Sequence, residues 1–327
     1  MQLTDIHVIK KANDWLTKNK PVWLCTILNT YGSAPRPIGS IFVTDGDKRY
    51  GSISGGCLED VFVEMIAQGQ FQRSNQTFIY GEHGTEQNIV RELPCGGTIK
   101  LLVEKLLPGA ENKSHLQQWL TFAEAQQPFC REVFLQQELR TISAIGQQAT
   151  EQIVTAEQSI TLAYAQIYRL LLIGIGQVTE HVAQLGLLAG FDVKVCDMRK
   201  ELASSWRFNK ANGGVDVIWM SPDLFIDKYV NHRTAVLALA HDPRIDDVAL
   251  MNVFASEAFY IGAMGSQRTT ETRNERLQRI CELSEQQLSR LHAPIGLNIG
   301  SKTPVEIAIS ILADIIRVRH QINKEQL

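Results

Sequence analysis

Residues 171–197 read LLIGIGQVTEHVAQLGLLAGFDVKVCD. An apolar run breaks at Gly174 and Gly176, a helical pattern follows, and a second apolar run ends on Asp197. In a strand–turn–helix–strand unit each of these residues has a physical task. The first glycine permits a tight turn, and the second lets a pyrophosphate approach the backbone and the exposed helix N-terminus. An acidic residue some twenty positions on can bond a ribose hydroxyl. The third position of the fingerprint is Thr179 rather than Gly or Ala, so the motif is degenerate and the helix must pack differently there.

From Tyr168 onward, apolar runs alternate with helical patterns, which predicts a parallel sheet with crossover helices. Strands are expected at Leu170–Ile173, Val193–Cys196, Val215–Met220, Ala235–Ala240 and Ala258–Ile261, with a helix ending at Ala189. The unit closes on a well-specified helix: Thr303 as N-cap, Pro304 at the first helical position and Glu306 completing a capping box. This is a Rossmann-like, doubly wound α/β domain, expected over residues 166–327.

Residues 1–165 lack that alternation. A helix is expected over Thr4–Asn19, then strands at Val22–Leu28, Ser40–Thr44 and Tyr50–Ser54, and a helix over Leu58–Gln68. Further strands are expected at Thr77–Tyr80, Thr98–Leu106, Arg131–Leu135, Leu139–Ala144 and Ile160–Gln166, with a helix at His115–Gln126. Strands and helices mixed in this way predict a separate α+β domain.

Composition narrows the function. A net charge of −3 over 327 residues supplies no basic surface for nucleic acid. The longest apolar run, Leu170–Ile175, cannot cross a bilayer, and the start MQLTDIHVIKKANDWL lacks a signal-peptide pattern, so a cytoplasmic protein is expected. Its six cysteines carry no CxxC spacing and are expected reduced.

Three other clusters carry candidate chemistry. Gly262, Gly265 and Ser266 follow a strand and precede a helix bearing Arg268 and Arg273, a layout suited to phosphate; the alternative is that these arginines pair with Glu271 and Glu275. Gly32–Gly39 contains Arg36 between prolines. Gly55-Gly56-Cys57 and Pro94-Cys95-Gly96-Gly97 leave two thiols without steric cover, open to a bulky cofactor or to sulfur exchange. Cys25, Cys130, Cys196 and Cys281 read as small buried hydrophobes. His241-Asp242 ends a strand, and His83 stands in a Gly-Glu-His-Gly loop; neither completes a hydrolytic constellation.

Taken in order, GSAPRPIGS, GSISGGCLED, PCGG, the IGIGQVTEHVAQLGLLAGFDVKVCDMR block, YIGAMGSQRT and HAPIGLNIGSKTPVEIAISILADII resemble the xanthine dehydrogenase accessory family, XdhC/CoxI. The resemblance implies a maturation factor rather than an enzyme. Such a factor would bind the molybdenum cofactor, as molybdopterin or its cytosine dinucleotide, and protect it while a cysteine desulfurase supplies sulfur. It would then deliver the cofactor to apo xanthine dehydrogenase or a related molybdenum hydroxylase, with homodimerisation left open. Cys57 and Cys95 match the family's glycine-flanked cysteines, which implies contact with molybdenum or with the relayed sulfur. Gly55, Gly56, Arg36, Gly174, Gly176, Asp197, Gly262, Gly265, Ser266 and Arg268 complete the expected cofactor-binding set. The rival reading is an NAD(P)-dependent oxidoreductase.

Overall fold

The computed structural model describes residues 3–32, 36–81 and 98–324, with Leu3 and Cys57 described by their backbone only. It divides into two compact units, Met1–Gln166 and Ile167–Leu327. The molecule is mixed α/β, with antiparallel sheets in the first unit and a parallel, Rossmann-like sheet in the second.

In the N-terminal unit the elements run α1 (Leu3–Thr17), β1 (Val22–Tyr31), β2 (Ile41–Thr44), β3 (Arg49–Gly51), α2 (Cys57–Ala67), β4 (Asn75–Tyr80), β5 (Thr98–Leu106) and α3 (Ala110–Glu124). They continue with β6 (Phe129–Phe134), β7 (Arg140–Ala144), β8 (Gln152–Thr155) and β9 (Ser159–Tyr164). One antiparallel sheet is ordered β3-β2-β1-β5-β4 and a second β7-β6-β9-β8. The face of the first sheet carrying Cys25, Ile27, Phe42, Leu101 and Val103 packs on Leu58 and Phe62 of α2. That packing fixes the start of α2 against the end of β3.

Two differences from the sequence reading have clear causes. The strand expected at Tyr50–Ser54 stops at Gly51, because the following residues wrap around the side chain of Glu59. Strand β8 has no counterpart among the expected strands: three of its four residues are exposed, which leaves no apolar alternation to read.

In the C-terminal unit the order is β10 (Arg169–Ile173), α4 (Gln177–Leu188), β11 (Asp192–Asp197), β12 (Val217–Trp219), α5 (Pro222–Tyr229), β13 (Thr234–Ala238) and α6 (Pro243–Val253). Then come β14 (Tyr260–Ala263), α7 (Gln267–Cys281), α8 (Glu285–Leu288), β15 (Leu291–His292) and α9 (Pro304–Arg319). Two short 3-10 turns, Lys200–Ser205 and Lys210–Asn212, fill the link from β11 to β12. All six strands are parallel, in the order β12-β11-β10-β13-β14-β15.

The unbroken apolar run of β10 follows from burial on both faces. Leu170 and Leu172 pack toward Val182 of α4 and Ala308, Ile311 and Ile315 of α9, while Leu171 and Ile173 pack toward Phe225, Ile245 and Leu250. Helix α9 begins as its sequence dictates, with the Thr303 hydroxyl accepting from the Glu306 amide and the Glu306 carboxylate returning to the Thr303 amide. Among the described residues no helix is long and apolar enough to cross a membrane.

Candidate functional site

The strand order reverses at β10: the chain goes to β11 on one side and later returns to β13 on the other. A parallel sheet opens a ligand crevice at such a point, outside the carboxyl ends of its strands. The residues there are Gly174–Gly176 after β10, Asp197–Arg199 ending β11, and Ala240–Asp242 beyond β13.

Gly174 has φ +91°, and a β-carbon on it would lie 2.3 Å from the α-carbon of Ala240. Its amide donates to the carbonyl of Cys196 at 2.8 Å. Thr179, the departure from the fingerprint, is buried, and its hydroxyl donates to the Gly174 carbonyl at 2.7 Å. The threonine thus ties the first turn of α4 back onto the glycine it follows. Gly176 is different: its backbone is extended, and a β-carbon there would meet nothing within 4 Å. The crevice is open at Gly176 and closed at Gly174.

Asp197 is fully buried. Its Oδ2 accepts from the Ile175 amide at 2.9 Å and from Arg199 Nη2 at 2.8 Å. Its Oδ1 accepts from the Arg199 amide at 2.8 Å and from Arg199 Nε at 3.0 Å. Burial pushes this carboxyl up, but the hydrogen bonds from Arg199 and Ile175 outweigh it and hold the group below its ordinary range. Sequence reasoning misses Arg199; its signal is its place two residues past the acid.

On the far wall, Asp242 caps α6 by accepting from the Arg244 amide, and His241 before it is left-handed at φ 54°. The other non-glycine residues with positive φ, namely Asn19, Gln126, Glu282 and Gln321, all follow helix C-termini, where this conformation is ordinary. Only His241, among the described residues, adopts it between a strand and a helix, beside the glycine turn. Its side chain is exposed, so His241→Gly removes strain with little loss of packing. The variant should gain about 0.5–1 kcal/mol in urea denaturation; an unchanged or lower midpoint would mean that the imidazole makes compensating contacts.

The Gly262–Ser266 segment divides in its roles. Gly262 lies inside β14, and its missing β-carbon makes room for Ile295, whose Cδ1 would stand 2.4 Å away, so packing accounts for this glycine. Ser266 caps α7, its hydroxyl accepting from the Thr269 amide. Gly265 precedes it, and Arg268 is exposed in the first turn. Arg273 is turned inward. Both its terminal nitrogens donate to the Met264 carbonyl at 3.1 Å, and it lies 3.5 Å from Asp247. Arg276 pairs with Asp247 rather than with a glutamate of its own helix. Beneath the loop, burial pushes the Asp246 carboxyl up to about 6, although it accepts from the Ala240 amide at 3.0 Å.

The N-terminal unit presents a second glycine turn, built around one carboxylate. Glu59 Oε1 accepts from the Ser52 hydroxyl at 2.7 Å, the Ile53 amide at 2.8 Å and the Ser54 amide at 3.0 Å. Its Oε2 accepts from the Gly56 amide at 2.9 Å and from the Ser54 hydroxyl. Gly55 and Gly56 are left-handed, at φ +89° and +133°, with nothing within 4 Å of a β-carbon on either. Arg36 Nε reaches Ser52 at 3.4 Å, which joins the Gly32–Gly39 motif to this turn. Cys57 is the first residue of α2. Ser33–Pro35, His83 and the Pro94–Gly97 motif with Cys95 lie outside the described residues.

Burial alone would raise the pKa of Glu59, but the hydrogen bonds from Ser54, Ser52 and Ile53 bring it down to about 2. A folded pKa below the unfolded one gives stability that is present above about pH 4.5 and lost as pH falls toward 2. Glu59→Gln should therefore cost about 1–3 kcal/mol at pH 7. The gap to the wild type should narrow in urea titrations below pH 4.5; a constant gap would mean that charge is not what the turn requires.

Among the described residues no group of three or more His, Cys, Asp or Glu side chains could hold a metal ion. Comparison with known proteins places one family model on each unit. Residues 15–81 match the model of the XdhC and CoxI family, and residues 170–315 match the XdhC Rossmann domain. The chain is 27% identical to the molybdenum cofactor insertion chaperone PaoD of Escherichia coli, over 98% of this chain and 91% of that one. It is also 27% identical to a Bacillus subtilis protein described as a probable xanthine dehydrogenase component, over 91% and 93% respectively. A crystal structure described as a xanthine dehydrogenase from Bacillus halodurans has the same fold, with a TM-score of 0.74 at 21% identity, over 99% of this chain and 98% of that one. With both domain models of one family matched in chain order and relatives aligned along nearly the whole length, the chain belongs to the XdhC and CoxI family.

Proposed function

We propose that this protein carries the molybdenum cofactor to a molybdenum hydroxylase of the xanthine dehydrogenase kind, shielding it while a cysteine desulfurase supplies its sulfur. The supporting observation is the open glycine turn at Gly176 in a family whose Escherichia coli member is a cofactor insertion chaperone. A backbone without side-chain cover at a helix N-terminus suits a phosphate, and the cofactor ends in a phosphate or in a pyrophosphate-linked nucleotide. A carrier needs affinity that is selective and reversible, not turnover.

The N-terminal turn is assigned the sulfur and molybdenum chemistry. Cys57 opens α2 directly after two glycines, and a helix N-terminus lowers a thiol's pKa. Cys95 joins it on the strength of its own glycine flanks. Gly55, Gly56 and Arg36 form the surround, while Gly265, Ser266 and Arg268 offer the C-terminal unit a second anion contact.

The test is protein purified from cells that make the cofactor, assayed for molybdenum and for fluorescent pterin. Wild type should carry both. Cys57→Ala and Cys95→Ala should fold normally, retain less molybdenum and leave the target enzyme short of its terminal sulfur. Full molybdenum content and full activation with both variants would end the cysteine assignment, and nicotinamide in place of pterin would end the carrier reading.

A further inference from the structure

We infer that Arg199 makes the β11 corner of the crevice a site for a phosphomonoester rather than for a ribose diol. This rests on the crevice being where the cofactor's phosphate-bearing end is held. A diol is recognised by a carboxylate with acceptor positions to spare, and an ionised carboxylate has about four. Those of Asp197 are all filled, three by Arg199 and one by Ile175. The carboxylate is also fully buried. A diol would have to displace a charge-assisted fork that closes directly onto the turn.

The guanidinium itself faces the other way in chemical terms. Nε and Nη2 bind Asp197, whereas Nη1 makes no hydrogen bond among the described residues, and the side chain is 23% exposed. The guanidinium shares Asp197 Oδ2 with the Ile175 amide, which sets it beside the glycine turn, and Asp242 and Asp246 add to the negative charge that keeps it protonated. A second arginine is tied by its backbone to the first turn of α4. The amide of Arg207 donates to Glu180 Oε1 in the first turn of α4 at 2.7 Å, and the Arg207 side chain is exposed. Of the acids nearby, Asp242 is paired with Arg244 and Glu180 accepts from the Arg207 amide, while Asp246 is fully buried, with Oδ1 on the Ala240 amide and Oδ2 3.8 Å from Arg273. What the corner offers an incoming group is donors, and a planar guanidinium edge matches phosphate oxygens. The phosphate could be the terminus of a phosphopterin or the 5′-phosphate of a nucleotide, which share this chemistry.

The experiment is calorimetry on the full chain with cytidine, cytidine 5′-monophosphate and 2′,3′-dideoxycytidine 5′-monophosphate, each at two salt concentrations. The two phosphates should bind within about twofold of each other, and cytidine, which has the diol alone, about tenfold or more weaker. Arg199→Gln should weaken the dideoxy phosphate by about tenfold and flatten its salt dependence, with folding checked by circular dichroism. Arg207→Gln, at an exposed position, should weaken it less and serves if the first variant unfolds. Neopterin monophosphate as competitor distinguishes the sources: displacement at lower concentration than the nucleotide points to a phosphopterin. Cytidine binding as well as its phosphate, or Arg199→Gln binding the dideoxy phosphate as tightly as the wild type, would overturn the inference. If no probe bound at all, the reading of the crevice would fall with it.

Discussion

Glu104→Gln is expected to cost the N-terminal unit about 3–5 kcal/mol, the typical penalty for stripping one partner from a buried ion pair. Glu104 of β5, Arg131 of β6 and Arg140 of β7 lie where the two antiparallel sheets of that unit meet α3. Arg131 is fully buried, and its Nη2 donates to both Glu104 oxygens, at 3.1 and 2.8 Å. Arg140 Nε donates to the same carboxylate at 2.9 Å. Other donors of the pair find neutral partners: Arg131 Nε binds His115 Nε2 at 3.1 Å, and Arg140 Nη1 binds Asn112 at 3.0 Å. Burial and the two guanidiniums hold His115 neutral, its pKa lowered to about 2, so it accepts and cannot add charge. Loss of the one carboxylate that both guanidiniums share would leave them facing each other without water. A loss of this size is a large fraction of the roughly 5–15 kcal/mol that holds a domain together, so the variant should unfold at a much lower urea concentration and temperature. Glu104→Leu combined with Arg131→Met and Arg140→Met should cost less than Glu104→Gln alone, since no charge is then stranded. Urea titration followed by tryptophan fluorescence reads both. A loss below about 1 kcal/mol for Glu104→Gln would mean that water reaches the cluster.

That cluster also marks a limit of sequence reading. Arg131 sits in a strand whose alternate residues Phe129 and Val133 are buried, and it points the same way as they do. The alternation is legible and holds the clue, a charged side chain on the apolar face, but the carboxylate it pairs with lies 27 residues back. Periodicity carries no information about pairs so far apart. The parallel sheet is easier, because burial on both faces writes itself into sequence as unbroken runs such as Leu170–Ile173. The caps of α9 are legible for a local reason too, since a capping box is closed within four residues.

The candidate site divides along the same line. The glycines of both turns stand out because their missing side chains are visible in the sequence itself. Their supports do not stand out. Glu59 reads as one more polar residue on α2, yet it is the carboxylate around which Ser52–Gly56 is folded. Asp197 reads as a free ribose ligand, and only the fold brings Arg199 back upon it. A glycine pattern announces where a backbone is bare; what stands beside it depends on side-chain direction.

The two glycines of the β10 turn give the sharpest separation of folding from binding. Gly174→Ala is expected to destabilise the C-terminal unit by about 2–5 kcal/mol, from a left-handed φ worth about 1–2 and overpacking worth about 1–3. Neither contribution can relax easily. The new methyl would stand 2.3 Å from the Ala240 α-carbon and 2.5 Å from its nitrogen, and that nitrogen is fixed to Asp246 at 3.0 Å. The Gly174 backbone is fixed in turn through Cys196 and Thr179. Gly176→Ala has none of these problems: the backbone is extended and the space around the new methyl is empty, so melting should shift by no more than about 0.5 kcal/mol. If a phosphate approaches there, that same methyl occupies its path, and affinity for cofactor or nucleotide phosphate should drop by about tenfold or more. Thermal melts and calorimetry on the pair therefore separate the two roles. A Gly174→Ala protein that melts like wild type would contradict the close approach to Ala240. A Gly176→Ala protein that binds like wild type would move the ligand away from this turn, leaving Gly176 to serve only the entry into α4.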